Sequence, residues 1–227
     1  MNRLAALATA AFLLTGTAAK AQSEGQEIDN MPARDDASTE KMLKDAERDR
    51  GFAMSDRVSR TALESWAGCV ARKNPAESRR VLTMDFTTPT YGRALRMLSE
   101  EDKACIGFRG TLRSAGLLFA GELAETLLEQ DTSLAANLAR AAAAPAVPSF
   151  SFTDKVAICV VRSVPGDVAA LFATARDSAE ESAALQALAV PMGLCARAAQ
   201  ATKPLSINPA GLRAMLATAA FRSVKDI

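Results

Sequence analysis

Apolar residues recur along this chain every three to four positions, which is the spacing of one face of an α-helix. Val58, Ala62, Trp66 and Val70 follow this spacing in the first such segment. Runs that alternate between apolar and polar residues, as half-buried strands do, are missing from the sequence. The helix-favouring residues Ala, Leu, Arg and Glu are abundant. The pattern therefore predicts an all-α protein.

Capping residues and prolines indicate where several helices begin. Asn74-Pro75 and Asn208-Pro209 each place an N-cap residue before a proline at the first helical position. Ser163 is predicted to cap the helix that begins two residues later. Ser99, followed by three acidic residues, predicts the start of a helix that carries Cys105.

The four cysteines divide the chain into two similar halves. Cys69 and Cys105 are 36 residues apart, as are Cys159 and Cys195, and the second pair follows the first at an offset of 90. Nine residues between 67 and 105 are identical to the residue 90 positions later, which indicates an internal duplication. A tetratricopeptide array has a similar period, but its Trp/Leu-Gly/Tyr pattern is absent. We predict two helical copies, residues 55–140 and 153–227, joined by a linker at 141–152 and packed as one domain with approximate two-fold symmetry.

The N-terminal residues have the pattern of a secretory signal peptide. Arg3 precedes the apolar stretch 4–14, and the small residues around Ala21 suit a cleavage site after that residue. The apolar stretch is much shorter than the about 20 residues that span a bilayer. We therefore predict a signal peptide at 1–21, a polar and partly disordered leader at 22–54, and a periplasmic or secreted protein without a transmembrane segment after cleavage.

Export makes a disulfide framework the favoured interpretation of the cysteines. Four cysteines allow three pairings, and the duplication favours Cys69–Cys105 with Cys159–Cys195, since the ancestral unit needed its bond within itself. Structural zinc sites use cysteines two to four residues apart, and no C-x-x-C redox motif is present. Buried free thiols are the remaining alternative.

Several classes of chemistry are absent from the sequence. The chain has no histidine, which excludes Ser-His-Asp and Cys-His nucleophiles and histidine-based metal sites. Phosphate-binding, dinucleotide-binding and EF-hand motifs are missing. The formal net charge is +1, so nothing indicates a nucleic-acid partner. We expect no cofactor, no metal and no catalytic residue of these kinds.

Acidic residues are the candidates for any remaining catalysis. Glycan hydrolysis needs two carboxyl groups about 5–10 Å apart in a cleft. Glu122 with Glu125, and the run Glu100, Glu101 and Asp102, have the right residue types. The simpler interpretation places these acids on helix surfaces and in the first turn of a helix.

Arg72 and Arg162 are the candidate binding residues, because both copies retain them three positions after the first cysteine. They are predicted either to anchor an anion or to complement a helix C-terminus with their charge. Trp66, the single tryptophan, lies on the apolar stripe and is predicted to fill the core rather than to form a ligand platform.

The chain resembles small uncharacterised exported bacterial helical proteins in three features. These are the predicted signal peptide, the two predicted cysteine-containing helical copies with a proline six residues after the first cysteine, and the stretch Gly121–Glu125. The resemblance covers the mature region from about Ser55 onward. It implies an exported helical protein and carries no activity.

These observations favour binding over catalysis. We predict an exported, non-enzymatic helical scaffold or partner-binding protein, with a groove or face between the two copies and another envelope protein as its partner. The alternative is a small histidine-independent hydrolase of cell-wall glycans that uses paired carboxylates. A deep pocket with two close, partly buried carboxylates would favour the alternative.

Overall fold

The computed structural model describes residues 57–101, 103–105, 116–202 and 205–224. These residues form helices, turns and loops, with no strand among them, so the predicted all-α fold is confirmed. The predicted signal peptide and leader lie outside the described residues. The helices are α1 (57–73), α2 (Pro75–Leu82), α3 (Pro89–Glu101), α4 (Gly116–Leu128), α5 (Leu134–Ala143), α6 (Phe152–Ser163), α7 (Pro165–Phe172), α8 (Ala179–Ala187), α9 (Ala189–Ala198) and α10 (Pro209–Val224), with a 3₁₀ turn at Lys103–Cys105.

Helices α2 and α7 begin at prolines 90 positions apart and have eight residues each. The segments that follow them, 83–88 and 173–178, have the same order of turns and bends before α3 and α8 begin, although Asp177 has a positive φ of 58° and the corresponding Thr87 does not. The stretch 144–151 joins α5 to α6 without helical structure, where the linker is predicted. The duplication and its two-fold symmetry stay predictions.

Two disulfides confirm the predicted pairing. Cys69 is bonded to Cys105, with 5.6 Å between their Cα atoms, and Cys159 is bonded to Cys195, with 5.7 Å. The first bond ties α1 to the 3₁₀ turn, and the second ties α6 to α9.

Among helices α2 to α10, α4 and α10 form the most extensive packing interface. They approach each other closely at Gly121, where a Cβ atom would lie 2.4 Å from the Cβ atom of Ala214. Any side chain at position 121 would overlap α10, so this glycine permits the close contact. The residues of α4 from Phe119 onward are buried or half-buried, and so are those of α10 from Gly211 onward. Helices α2, α5 and α6 also contact α10.

Of the four predicted helix starts, those at Pro75, Pro165 and Pro209 are confirmed, whereas the start at Ser99 and the capping role of Ser163 are wrong. Ser99 lies inside α3, where its hydroxyl donates to the carbonyl of Arg96 at 2.7 Å, and Cys105 lies in the 3₁₀ turn. Ser163 is the last residue of α6 and makes no cap for α7. In contrast, Asn208 Oδ1 accepts a hydrogen bond from the backbone N–H of Gly211 at 2.7 Å, as an N-cap does.

Among the described helices, none combines the length and the apolar composition that crossing a bilayer requires.

Candidate functional site

A cavity of about 850 Å³ opens between the helices of the two predicted copies. We name it the α3–α10 cavity, because α3 and α10 form two of its walls. Its volume lies in the range of about 300–1,000 Å³ that is typical of small-molecule sites. It is lined by Trp66, Leu82, Met84, Phe86, Tyr91, Gly92, Leu95, Arg96, Ser99, Gly116, Leu117, Phe119, Thr153, Asp154, Ile207, Gly211, Met215, Thr218 and Arg222.

Aromatic side chains form much of the wall. Trp66 stacks on Phe119, with 4.5 Å between ring centroids, at the buried end of the cavity. Phe86 meets Tyr91 edge to face at 6.4 Å and Phe150 at 5.6 Å. Such pairs hold their rings in defined orientations, so they give the cavity firm apolar walls.

A buried ion pair lies in the wall formed by α6 and α10. Arg222 donates to Asp154, and its second terminal nitrogen donates to the carbonyl of Pro148 at 3.1 Å. The Arg222 guanidinium also lies over the ring of Phe150, 4.9 Å from its centroid, in a cation–π contact. The two charges neutralise each other, so this wall offers no free charge.

The start of α6 fixes the position of Asp154. The Asp154 backbone N–H donates to the N-cap hydroxyl of Ser151 at 3.2 Å, and the carboxylate accepts from the backbone N–H of Phe150 at 2.8 Å. This arrangement is similar to a capping box, but the side chain is Asp and it accepts from Phe150, the residue before the N-cap. Local sequence therefore places the acid that holds Arg222.

The turn between α2 and α3 presents Phe86 to the cavity. Asp85 accepts hydrogen bonds from the hydroxyl of Thr87 at 2.6 Å and from its backbone N–H at 2.9 Å, and these bonds lower the pKa of its carboxyl. The Tyr91 backbone N–H donates to the hydroxyl of Thr88 at 3.3 Å. These short-range bonds hold the turn on which Phe86 lies.

Tyr91 supplies a neutral phenol to the cavity. Burial raises the pKa of its hydroxyl to about 12, against the opposing effect of the Arg222 charge. The phenol therefore stays protonated at physiological pH and remains a hydrogen-bond donor.

Helix α3 forms the solvent-exposed side of the cavity. Gly92, Arg96 and Ser99 line it from successive turns of the helix, and the first two are exposed. At Gly92 a Cβ atom would meet nothing within 4 Å, so this part of the wall is open.

A second concentration of polar side chains lies between α1, α4, α8 and α10. We name it the arginine–glutamate cluster. It consists of Arg60, Arg176 and Arg213 with Glu64, Glu122, Glu125, Glu129, Asp177 and Glu181.

Arg213 is the centre of this cluster and is only 2% exposed. Its Nε donates to both carboxylate oxygens of Glu125, at 3.1 and 3.0 Å, and its Nη1 donates to Glu181 Oε1 at 2.9 Å. Thr174 accepts through its hydroxyl at 3.1 Å and its carbonyl at 3.0 Å. Burial lowers the pKa of Arg213, but the bonds from Glu125 and Glu181 outweigh it and raise the pKa. The arginine is therefore fully charged and fully partnered.

Arg176 connects the acids of α4. Its Nη2 lies 2.7 Å from Glu122 Oε2 and 3.2 Å from Glu125 Oε1, and its Nη1 donates to Glu64 at 2.8 Å. Burial raises the pKa of Glu122 despite the charge of Arg176. Glu122 and Glu125 are thus close enough in space for paired-carboxylate chemistry.

These two acids line neither of the two described cavities, however. The linings of the α3–α10 cavity and of a second cavity of about 510 Å³ beside α9 contain neither of them. Glu125 is 1% exposed and bonded to Arg213, so it has no room for a sugar and no free proton-accepting role. The expectation that Glu122 and Glu125 are helix-surface acids is wrong, because Glu125 is buried and Glu122 is half-buried.

Corresponding positions of the two predicted copies carry opposite chemistry. At the 90-residue offset, Phe86 corresponds to Arg176 and Tyr91 to Glu181. The first pair lines the open cavity, whereas the second pair belongs to the arginine–glutamate cluster, where ion pairs occupy the space. Only one of the two locations therefore offers room for a ligand.

Of the remaining predicted residues, only Trp66 lines the α3–α10 cavity; Arg72, Arg162, Glu100 and Glu101 do not. Arg162 donates to the carbonyls of Ala141 and Ala144 at 2.7 Å each, which closes the C-terminal end of α5. Arg72 is exposed, and neither arginine lines the α3–α10 cavity, so their role as anion anchors stays a prediction. Glu100 and Glu101 are exposed in the last turn of α3. Trp66 is 8% exposed, as expected of a core residue, and also lines the cavity.

Sequence reasoning missed Arg213 and Arg222, although a signal was present. Each interrupts the otherwise apolar helix α10, just as Glu122 and Glu125 interrupt α4. A charge on a helix that is apolar on all sides needs an opposite charge on a neighbouring helix. That rule identifies both helices as carriers of buried ion pairs, although it does not identify the partners.

Glu181 provides a pH-dependent contribution to stability. Burial raises its pKa, but hydrogen bonds from Arg60, Asp177 and Arg213 outweigh it and lower the pKa from 4.5 to about 2. A lowered pKa stabilises the folded state above the unfolded-state pKa, and this contribution is lost as pH falls from about 5 towards 2. We expect Glu181→Gln to lower the free energy of unfolding by about 1.5–3 kcal/mol at pH 7. Between pH 5 and pH 2 the free energy of unfolding of this variant should fall less steeply than that of the unmodified protein.

Urea unfolding at a series of pH values measures this effect. Glu100→Gln, a change at an exposed acid on α3, is the control and is expected to leave the profile unchanged. Equal slopes for Glu181→Gln and the unmodified protein below pH 5 would contradict the assignment.

Comparisons of the chain with protein-family models, with curated proteins and with solved structures found no match.

Proposed function

We propose that this chain is an exported, non-enzymatic binding protein whose ligand occupies the α3–α10 cavity. One observation supports this most directly: a largely apolar cavity of about 850 Å³ lies where helices of the two predicted copies meet. The cavity is large enough for a small molecule and has rigid aromatic walls. The partner predicted among envelope proteins stays a prediction beside this role.

Export is part of the proposal. Two disulfides are compatible with an oxidising compartment, since cysteines in reducing compartments stay as thiols. The signal-peptide pattern supports a periplasmic or secreted protein whose mature chain begins after Ala21.

The alternative, a glycan hydrolase, has less support. Its best carboxylate pair, Glu122 and Glu125, is engaged by Arg176 and Arg213 and lines neither described cavity. Asp154 does line the α3–α10 cavity, but it is paired with Arg222 and has no second carboxylate beside it in the lining.

The single tryptophan of the chain gives a direct test, because Trp66 lines the cavity. Titration with dodecanol, an uncharged apolar probe, is expected to change Trp66 fluorescence saturably. Gly92→Leu adds a side chain where a Cβ atom meets no neighbour and where the cavity is lined. We expect it to weaken dodecanol binding about ten-fold or more, since filling the site excludes several methylene groups of the probe.

Gly166→Leu is the matched control. Gly166 lies in α7, also has open space around a Cβ atom, and does not line the cavity. The affinity of the Gly166→Leu variant for dodecanol is expected to equal that of the unmodified protein. Absence of saturable fluorescence change, or equal weakening by both substitutions, would overturn the proposed site.

A further inference from the structure

The α3–α10 cavity is polarised along its length. We name its buried apolar lining residues, Trp66, Leu95, Phe119 and Met215, the inner end; each is less than a tenth exposed. The lining residues Asp154 and Arg222 are equally buried and form an ion pair with each other. The exposed side of the cavity carries Arg96 on α3, whose side chain is in contact with solvent. A ligand that fills the cavity therefore has one end in apolar surroundings and the other beside a cation and water.

The charges of the lining do not cancel. Arg222 is paired with Asp154, and Tyr91 is a neutral phenol at physiological pH. Arg96 is the remaining charged residue of the lining, and none of the described acidic side chains forms an ion pair with it. The described lining thus has an excess positive charge, and this charge lies at the exposed side.

Leu117 continues the apolar surface to the exposed edge. It lines the cavity and is nevertheless 45% exposed, in contrast to the buried residues of the inner end. An apolar chain that leaves the inner end therefore meets further apolar surface before it reaches solvent.

We propose that the ligand is a single-chain amphiphile with an anionic head group. This inference rests on the proposed function, since it assigns a ligand class to the same cavity. The alkyl chain occupies the apolar inner end, where each buried methylene group favours binding. The carboxylate or phosphate head lies at the edge beside Arg96, where it keeps its hydration and gains an ion pair.

Three probes with the same alkyl chain isolate the contribution of the head group: dodecanoate, dodecanol and dodecyltrimethylammonium. Each is titrated below its micelle-forming concentration into the full chain with both disulfides formed, with Trp66 fluorescence and calorimetry as readouts. Arg96→Gln is expected to weaken dodecanoate about two- to five-fold, the range of an exposed ion pair. The same substitution is expected to leave dodecanol unchanged and to strengthen dodecyltrimethylammonium.

Arg93→Gln is the matched control, because Arg93 is also exposed on α3, contacts Thr90 and does not line the cavity. It is expected to change none of the three affinities. Added salt should reduce the effect of Arg96→Gln on dodecanoate by screening. Dodecyl phosphate serves as a fourth probe, and its affinity relative to dodecanoate decides between a phosphate and a carboxylate head.

The outcomes separate this inference from the proposed function. If dodecanol binds but Arg96→Gln changes dodecanoate no more than Arg93→Gln does, the cavity is a binding site and the anionic head group is wrong. If dodecyltrimethylammonium binds more tightly than dodecanoate, the head group is likewise wrong. If no probe binds saturably, the proposed function fails together with the inference.

Discussion

Arg213→Met is expected to destabilise the protein by about 3–5 kcal/mol at pH 7, the cost of leaving buried carboxylates without their arginine. Methionine retains much of the length and apolar stem of arginine but none of its charge. Glu125 would keep only the contact with Arg176, at 3.2 Å, and Glu181 would keep Arg60. For a domain of this size the loss corresponds to a fall in melting temperature of roughly 6–20 °C, which thermal and urea unfolding both measure.

Arg80→Met is the matched control, because Arg80 forms an ion pair with Glu77 on the exposed surface of α2. Exposed pairs contribute about 0–1 kcal/mol, so this variant is expected to stay within that range. The double variant Arg213→Met with Glu125→Leu replaces the buried pair by apolar side chains and should recover much of the lost stability. A cost for Arg213→Met no larger than that for Arg80→Met would contradict the central role of Arg213.

Removal of the first disulfide, by Cys69→Ala with Cys105→Ala, is expected to cost about 3.5–4 kcal/mol. The bond restricts the unfolded chain over a separation of 36 residues, and the second bond has the same separation. Cys159→Ala with Cys195→Ala should therefore cost a similar amount, because the entropic contribution depends on loop length alone. Urea unfolding under oxidising conditions compares the two variants with the unmodified protein.

The variant that lacks all four cysteines supplies the control. A thiol reductant should lower the stability of the unmodified protein towards that of this variant and leave the variant itself unchanged. If the reductant has no effect on the unmodified protein, the bonds are not formed in solution. If one pair of substitutions costs several kcal/mol more than the other, the larger cost comes mainly from native contacts of that disulfide and not from the entropy of the unfolded chain.

The all-α fold and both disulfides were predictable because their signals are local or repeated. Helical spacing of apolar residues acts within a few turns, and the cysteine pairing followed from comparison of residues 90 positions apart. Helix boundaries were less predictable. Ser99 and the acids after it have the composition of a helix start, but α3 continues through them because its apolar face, Leu95 and Leu98, is buried by contacts with other parts of the chain.

The candidate site was not predictable from these signals. Phe86, Tyr91 and Arg96 lie close together in the sequence, but Arg222 is more than 100 residues further along the chain, and the four carry no motif. Only the tertiary structure makes residues of α3 and α10 walls of the same cavity. The residues that the sequence singled out, Arg72 and Arg162, follow cysteines at matched positions but lie away from the cavity. Repetition in the sequence therefore indicated the disulfide pairing, whereas the candidate site lies where the two predicted copies differ.

The amino-acid sequence by itself determined the helical class and the cysteine pairing, because helical periodicity and cysteine spacing are properties of short or aligned segments. Export stays a prediction from the signal-peptide pattern. The tertiary structure decided which charges are buried and which space is left open. Arg176 and Glu181 fill one location with ion pairs, while Phe86 and Tyr91, at the corresponding positions, line a cavity. The reason is physical: burial, charge pairing and cavity volume depend on side chains from distant segments, and these meet only when the helices pack.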